Sequence, residues 1–295
     1  MKEFLVLAEE LKPDIIHTHT FKAGLIARYK KKTLINLTGK EIKFIHTFHG
    51  HLLDDPEFSG QKKNAIIFIE RALAKRTDKL VTVGQRVSDE LLNNEIGNPN
   101  QYENIPPGVN ELKLIDKKAA REILGISDSG KVVGWLARVT GVKNPLLAAE
   151  VANEFPELQF VFGGSGDQLD ALKASVKENS KVFGWVDAAT FISACDVILS
   201  TSENEGMPIA LIEAQMAGKP VVATNVGSVG EVVKNGQTGF VTEKSKYQLV
   251  IKLQEILTDP ELTKSMGKAA EIHANQAFSP SAMVQKHIDL YKVLT

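Results

Sequence analysis

The sequence predicts an α/β protein made of two doubly wound domains, and three observations carry that reading. Its 295 residues fill about two domains at roughly 150 residues each. From residue 131 onward, short β-rich runs alternate with helical patterns, the mark of a parallel sheet with crossover helices. The first half shows the same alternation with shorter strands.

In the first half, apolar strands are expected at 14–17, 43–46, 80–83 and 103–105, with helices at 22–30, 61–76 and 86–93 between them. Asn104-Ile105-Pro106-Pro107-Gly108-Val109-Asn110 combines two prolines with a glycine and reads as the exit from the first sheet into a linker. The boundary therefore falls near residue 115. In the second half the strands are drawn at 131–138, 158–162, 181–186, 196–201, 220–224 and 239–243. Helices at 145–155, 167–178, 187–195, 208–217 and 228–234 connect them. Asp187 suits an N-cap, Pro208 a first helical position and Gly218 the position just past a helix end. After residue 244 three helices follow, separated by Pro260 and Pro280.

Thirty-five Lys and Arg stand against 36 Asp and Glu. That balance argues against a nucleic-acid-coating protein, which needs a basic face. The single cysteine, Cys195, excludes an internal disulfide framework and a Cys-based zinc cluster. No run approaches the roughly 18 apolar residues of a membrane span, and the N-terminus lacks a signal pattern, so a cytoplasmic chain is expected. The densest basic stretch is Arg28, Lys30, Lys31 and Lys32. It reads either as a solvated helix end or as a peripheral contact with anionic lipid headgroups.

In an open α/β sheet, ligands bind beyond the carboxyl ends of the strands, so those loops are searched first. The loop after 131–138 carries Arg138 and Lys143, two cations able to neutralise a diphosphate without metal, or simply surface charges flanking a turn. Gly163-Gly164-Ser165-Gly166 would let a ligand approach backbone amides, although such turns also arise from packing alone. Gly206, Met207, Pro208 and Ile209 lie where a helix begins, and the Gly206 and Met207 amides would aim at whatever fills the cleft. Glu205 lies in the loop before that helix. Glu213, on the helix among apolar neighbours, needs a partner such as a pair of sugar hydroxyls or a nearby Lys or Arg.

Glu205-x7-Glu213, then Ala-Gly-x-Pro-Val-Val-Ala-Thr, Gly227, Glu231 and Thr238-Gly239-Phe240-Val241 together resemble the retaining GT-B enzymes of glycosyltransferase family 4. The order of the other motifs is similar to that family as well. The resemblance implies two Rossmann-like domains facing a cleft: a partial acceptor-side domain at 1–115, with helix 281–295 returning to it, and a donor-binding domain at 116–280. It implies that Arg138 and Lys143 bind the diphosphate and that Gly163–Gly166 form the Gly-rich turn. Gly184 and Trp185 would end the strand near the base, and Glu213 would hold the ribose. Glu205 would serve the transferred sugar or the charge at the reacting centre. His46-Thr47-Phe48-His49-Gly50-His51 resembles the family's His-Gly turn, and His49 would face the donor sugar. For His17, His19, His46 and His51, packing at strand ends or in loops is the competing reading.

The function so implied is transfer of a sugar from a nucleoside diphosphate donor, UDP favoured, to a glycan or lipid-linked hydroxyl with retention, in bacterial polysaccharide or glycolipid synthesis. No cofactor and no metal are expected, since no Asp-x-Asp occurs. Family members begin with about 80 further residues, without which the first sheet has an uncovered edge or face. That departure suggests an incomplete N-terminal domain, a second chain completing it, or a nucleotide-sugar-binding remnant without transferase activity. A smaller departure is the stretch 33–41, which reads as an inserted loop.

Overall fold

The computed structural model describes residues 2–50 and 60–295. They form two compact units: one holds the chain up to Pro107 together with Ser281–Thr295, the other Gly108–Pro280.

The first unit runs α1 (Lys2–Leu11), β1 (Ile15–His19), α2 (Phe21–Tyr29), α3 (Lys31–Thr38), β2 (Lys43–Phe48), α4 (Gln61–Ala74), β3 (Lys79–Thr82), α5 (Gln85–Asn93) and β4 (Tyr102–Asn104). The four strands make a parallel sheet in chain order. Every β2 residue after Lys43 is buried, as expected of a parallel strand covered on both faces. On one face, Ile16 and Phe44 pack with Ala8, Ala27 and Leu34 of the first three helices. The stretch 33–41, expected as a loop, is mostly α3. Leu34 and Thr38 point inward one turn apart, and left-handed Gly39 ends the helix at φ 64°.

Arg28 corrects the reading of the basic stretch. Neither solvated nor free to meet a headgroup, it is fully buried. Its guanidinium donates to both Glu70 oxygens at 2.8 Å, and its Nε donates to the Gly24 carbonyl. Arg28 falls on the inner face of α2 with Gly24 and Ala27, and a planar fork matched to a carboxylate is the pairing that can be buried. Lys31 meets Asp78 at 2.9 Å.

The second unit holds α6 (Lys117–Leu124), β5 (Val132–Leu136), α7 (Pro145–Ala152), β6 (Gln159–Gly163), α8 (Leu169–Ser175), β7 (Ser180–Val182), α9 (Ala188–Ala194), β8 (Val197–Ser200), α10 (Ile209–Met216), β9 (Val221–Thr224), α11 (Val229–Val232), β10 (Gly239–Thr242), α12 (Lys246–Thr258) and α13 (Pro260–Phe278). Its six parallel strands are ordered β10-β9-β8-β5-β6-β7. The order reverses at β5, the point where such sheets open a crevice. Two apolar clusters fill the faces, one around Trp135, Phe160 and Phe162, the other around Phe191, Ile198 and Ile212. Asp187 caps α9 by accepting from the Thr190 amide. Strand β7 stops at Val182, short of the expected 186, because Gly184 turns the backbone to φ 74°.

The last helix, α14 (Pro280–Leu294), belongs with the first unit. There Leu290, Met283 and Leu294 cover Ile45, Val81 and Ile105 on the second sheet face.

Candidate active site

A cavity of about 270 Å³ opens at the reversal point of the second sheet. The ends of β5 and β8 form its floor through Trp135, Leu136 and Ser200. Lys143, Glu205, Met207, Pro208 and Ile209 form its walls. Five of the residues singled out in the sequence thus meet in one place.

Lys143 and Glu205 face each other, 2.6 Å from Nζ to Oε1, with side chains only 17% and 10% exposed. Ser202 Oγ donates to the same carboxylate oxygen at 2.7 Å. The sequence offered Lys143 to an anionic ligand and Glu205 to a sugar. In the structure the two also neutralise each other.

Neighbouring hydroxyls hold this loop pair in place. Thr201 Oγ1 accepts from the Trp135 indole at 3.0 Å and donates toward the carbonyls of Lys143 and Asn144. Thr224 donates to the Ser202 carbonyl at 2.6 Å. These residues were missed in the sequence. Thr201 and Ser202 immediately precede the recognised Glu205-x7-Glu213 motif, whereas Trp135 lies on β5 and nothing in the spacing joins it to Thr201.

Helix α10 starts after Pro208, and its first amides, at Ile209 and Ala210, have no carbonyl one turn back to bond within the helix. Both residues line the cavity, so the positive helix end faces it. Glu213 follows Ile209 by four residues and shares its face. It is half-buried, and among the described residues it makes no ion pair. Burial pushes its carboxyl above the usual range. A neighbouring Lys or Arg is therefore not its partner within this unit.

The other candidates of this unit do not line the cavity. Arg138 is exposed on the loop leaving β5. In the glycine turn, Gly164 adopts φ 135°, and a Cβ there would lie 1.8 Å from the Ala137 carbonyl oxygen. A Cβ on Gly166 would lie 2.2 Å from the Val139 carbonyl oxygen. The Gly164 amide donates to Gly184 and the Ser165 carbonyl accepts from Val139. Gly164 and Gly166 thus let three loops pack backbone to backbone, which is the packing reading of this turn. Gly206 precedes the cavity-lining Met207. Trp185 is 83% exposed, on the loop that follows the edge strand β7.

In the first unit, His49 follows β2 and hydrogen bonds to His19, Nε2 to Nδ1 at 2.9 Å. One ring donates and the other accepts, so the pair holds one proton between the two nitrogens. Burial lowers the pKa of His49, and burial followed by His49 and His287 lowers that of His19. His17 bonds Tyr291 Oη and Thr47 Oγ1 at 2.8 and 2.7 Å. Its pKa falls to about 3 through burial and then the neighbouring histidines. His46 is buried against Thr18, and burial and then Arg28 bring it down to about 2. Its imidazole occupies the space a Cβ on Gly24 would need, 2.4 Å away. His17 and His46 are therefore packing residues. His51 lies outside the described residues.

Comparison with solved structures shows the same architecture. Sucrose-phosphate synthase from Thermosynechococcus elongatus superposes with a TM-score of 0.84 at 20% identity, covering 99% of this chain and 76% of that one. HepE from Anabaena, in complex with UDP, gives 0.84 at 21% identity, covering 99% and 81%. Two Rossmann-like units of this kind make the GT-B architecture.

The model for glycosyl transferases group 1 matches residues 116–273 and that for glycosyltransferase family 4 matches residues 2–111. The chain belongs to the glycosyl transferases group 1 family, and it is a glycosyltransferase. The UDP-Gal:alpha-D-GlcNAc-diphosphoundecaprenol alpha-1,3-galactosyltransferase of Escherichia coli is 29% identical over 315 residues, covering 99% of this chain and 79% of that protein. No helix among the described residues is long and apolar enough to cross a membrane.

Proposed function

We propose that the protein transfers a sugar from a nucleoside diphosphate sugar, with UDP as the base-bearing part, to a glycan or lipid-linked hydroxyl, retaining the anomeric configuration and needing no metal. The observation that carries this reading is the cavity at the sheet reversal, where a half-buried lysine meets a helix N-terminus whose next turn carries an unpaired, half-buried carboxylate. Lys143 and the α10 amides take the diphosphate, with Arg138 reaching in from the rim. Glu213, four residues into the face that lines the cavity, accepts from the two ribose hydroxyls. Gly184 and Trp185 border the base. The UDP preference rests on the relative whose donor is UDP-Gal and on HepE, solved with UDP.

In the reaction, the bond from the anomeric carbon to the β-phosphate oxygen breaks as the acceptor oxygen bonds that carbon from the same face. The acceptor proton passes to the departing phosphate oxygen. Charge grows on the diphosphate, where Lys143 and the amides are already placed, so stabilisation needs no reorganisation in the transition state. Donor binding, before the chemical step, turns Lys143 from Glu205 to phosphate, while Glu205 keeps Ser202 and offers its negative charge to the oxocarbenium-like sugar.

A thermal-shift panel with UDP, GDP and ADP, run beside Glu213→Ala, tests the site. Ligand at ~100 times its Kd stabilises by about 2.7 kcal/mol. A shift with UDP that the variant loses is expected. Shifts from none of the three would refute the placement, and UDP binding without transfer to any acceptor would leave a nucleotide-sugar-binding protein.

A further inference from the structure

Lys143 and Glu205 are the two charged side chains that line the cavity among the described residues, and each is the other's partner at 2.6 Å. Both side chains are largely shielded from water. Solvent screens such a pair weakly, and leaving either charge alone there is costly. A diphosphate that enters this cavity therefore meets a cation already engaged and an anion beside it.

The backbone decides which of the two yields. The Glu205 carbonyl accepts from the Ser228 amide at 3.3 Å. Gly227 approaches so closely that a Cβ on it would lie 1.6 Å from the Glu205 carbonyl oxygen. At the other end of the residue, Ser202 Oγ holds the same carboxylate oxygen that Lys143 meets, at 2.7 Å. Glu205 is thus fixed at both ends. Lys143 is gripped through its carbonyl, which accepts from Thr201 Oγ1 at 3.1 Å. Its ammonium is held by Glu205 at the end of a long, rotatable stem, so the lysine is the member that turns.

We propose that Glu205 is an internal competitor of the diphosphate, which holds affinity for the nucleoside diphosphate product low and takes Lys143 back as that product leaves. The proposal rests on the reading of the cavity as the diphosphate site. An ammonium that bridges Glu205 and a phosphate presses two anions together. One that leaves Glu205 strands a shielded carboxylate with Ser202 as its remaining donor. Either way the carboxylate weakens phosphate binding. The penalty is greater for product than for donor: cleavage of the sugar–phosphate bond adds negative charge to the terminal phosphate and takes away the sugar hydroxyls that could donate to Glu205. Lys143 and Glu205 so arranged favour entry of the sugar-bearing nucleotide and release of the bare one.

The test is calorimetric titration of the full chain with UDP and with UMP, together with stopped-flow measurement of UDP release, for the unsubstituted protein and Glu205→Gln. The glutamine keeps an acceptor for Ser202 but removes the charge. It should bind UDP about tenfold more tightly and release it about tenfold more slowly. UMP, which lacks the β-phosphate, should change by less than about twofold. Glu205→Asp, which draws the carboxylate back by one methylene, takes its place if the circular dichroism of Glu205→Gln is altered, and it should tighten UDP about threefold. UDP that fails to bind the unsubstituted protein would refute the diphosphate reading of the cavity. UDP that binds it but binds the folded variant no more tightly, or a gain for UMP as large as for UDP, would overturn this proposal.

Discussion

Acidification should loosen the first unit through its buried imidazoles. His46 is 1% exposed, and its folded-state pKa lies near 2; that of His17 lies near 3. Both imidazoles stay neutral in the fold and regain the ordinary value of about 6.5 on unfolding. Below pH 6.5 the unfolded chain therefore binds more protons, and stability present above that pH is lost as pH falls. At pH 5 both folded values are far enough away that the cost depends only on the unfolded one: about 2 kcal/mol for His46. His17, half-buried, adds about 1 to 2 kcal/mol after discounting for screening. The expected loss between pH 7.5 and 5 is thus about 3 to 4 kcal/mol. Hydrogen exchange of peptides spanning β1 and β2, corrected for intrinsic rates, reads the opening free energy at each pH. His46→Asn should shrink the change by about 2 kcal/mol, which separates this imidazole from other titrating groups such as Glu70. A pH change smaller than about 1 kcal/mol, or an identical change in the variant, would refute the reasoning.

Two further outcomes are expected. Glu70→Ala strands the Arg28 guanidinium and should cost about 3 to 5 kcal/mol in urea unfolding, whereas Arg28→Met with Glu70→Leu should recover most of it. Lys143→Met should weaken nucleoside diphosphate binding by ten- to a hundredfold in calorimetric titration, the loss of a charge-assisted contact of about 1.5 to 3 kcal/mol.

The second unit was the more legible half because its strands and helices alternate at a steady pace and carry readable ends. Asp187 caps where expected, and Gly218, at φ 68°, follows the end of α10. Of Lys143, Glu205 and Glu213, singled out from the sequence, the first two line the cavity at the sheet reversal. What escaped the sequence were contacts made across long separations. The Lys143–Glu205 pair joins two loops, and the Thr201 bridge joins β5 to β8. Arg28 read as a surface charge because its partner lies 42 residues away. The glycine turn invited a ligand reading, but Gly164 and Gly166 are required by the Ala137 and Val139 carbonyls. Helix α3 was hidden because its apolar face is only Leu34 and Ile35 above a polar majority, and docking on α1 decides its structure.

The division of the chain also orders its assembly. Strand β4 ends at Asn104, yet the helix that covers Ile45, Val81 and Ile105 begins at Pro280. Between them lies the second unit, Gly108–Pro280, which is contiguous. During synthesis the second unit can close on itself as soon as α13 emerges, while the unit begun first waits with one sheet face bare. Domains fold as units when their residues become available, so the later segment finishes first. The waiting sheet, four parallel strands with an apolar face toward water, is the aggregation-prone species of this chain, and α14 is the element that ends that exposure.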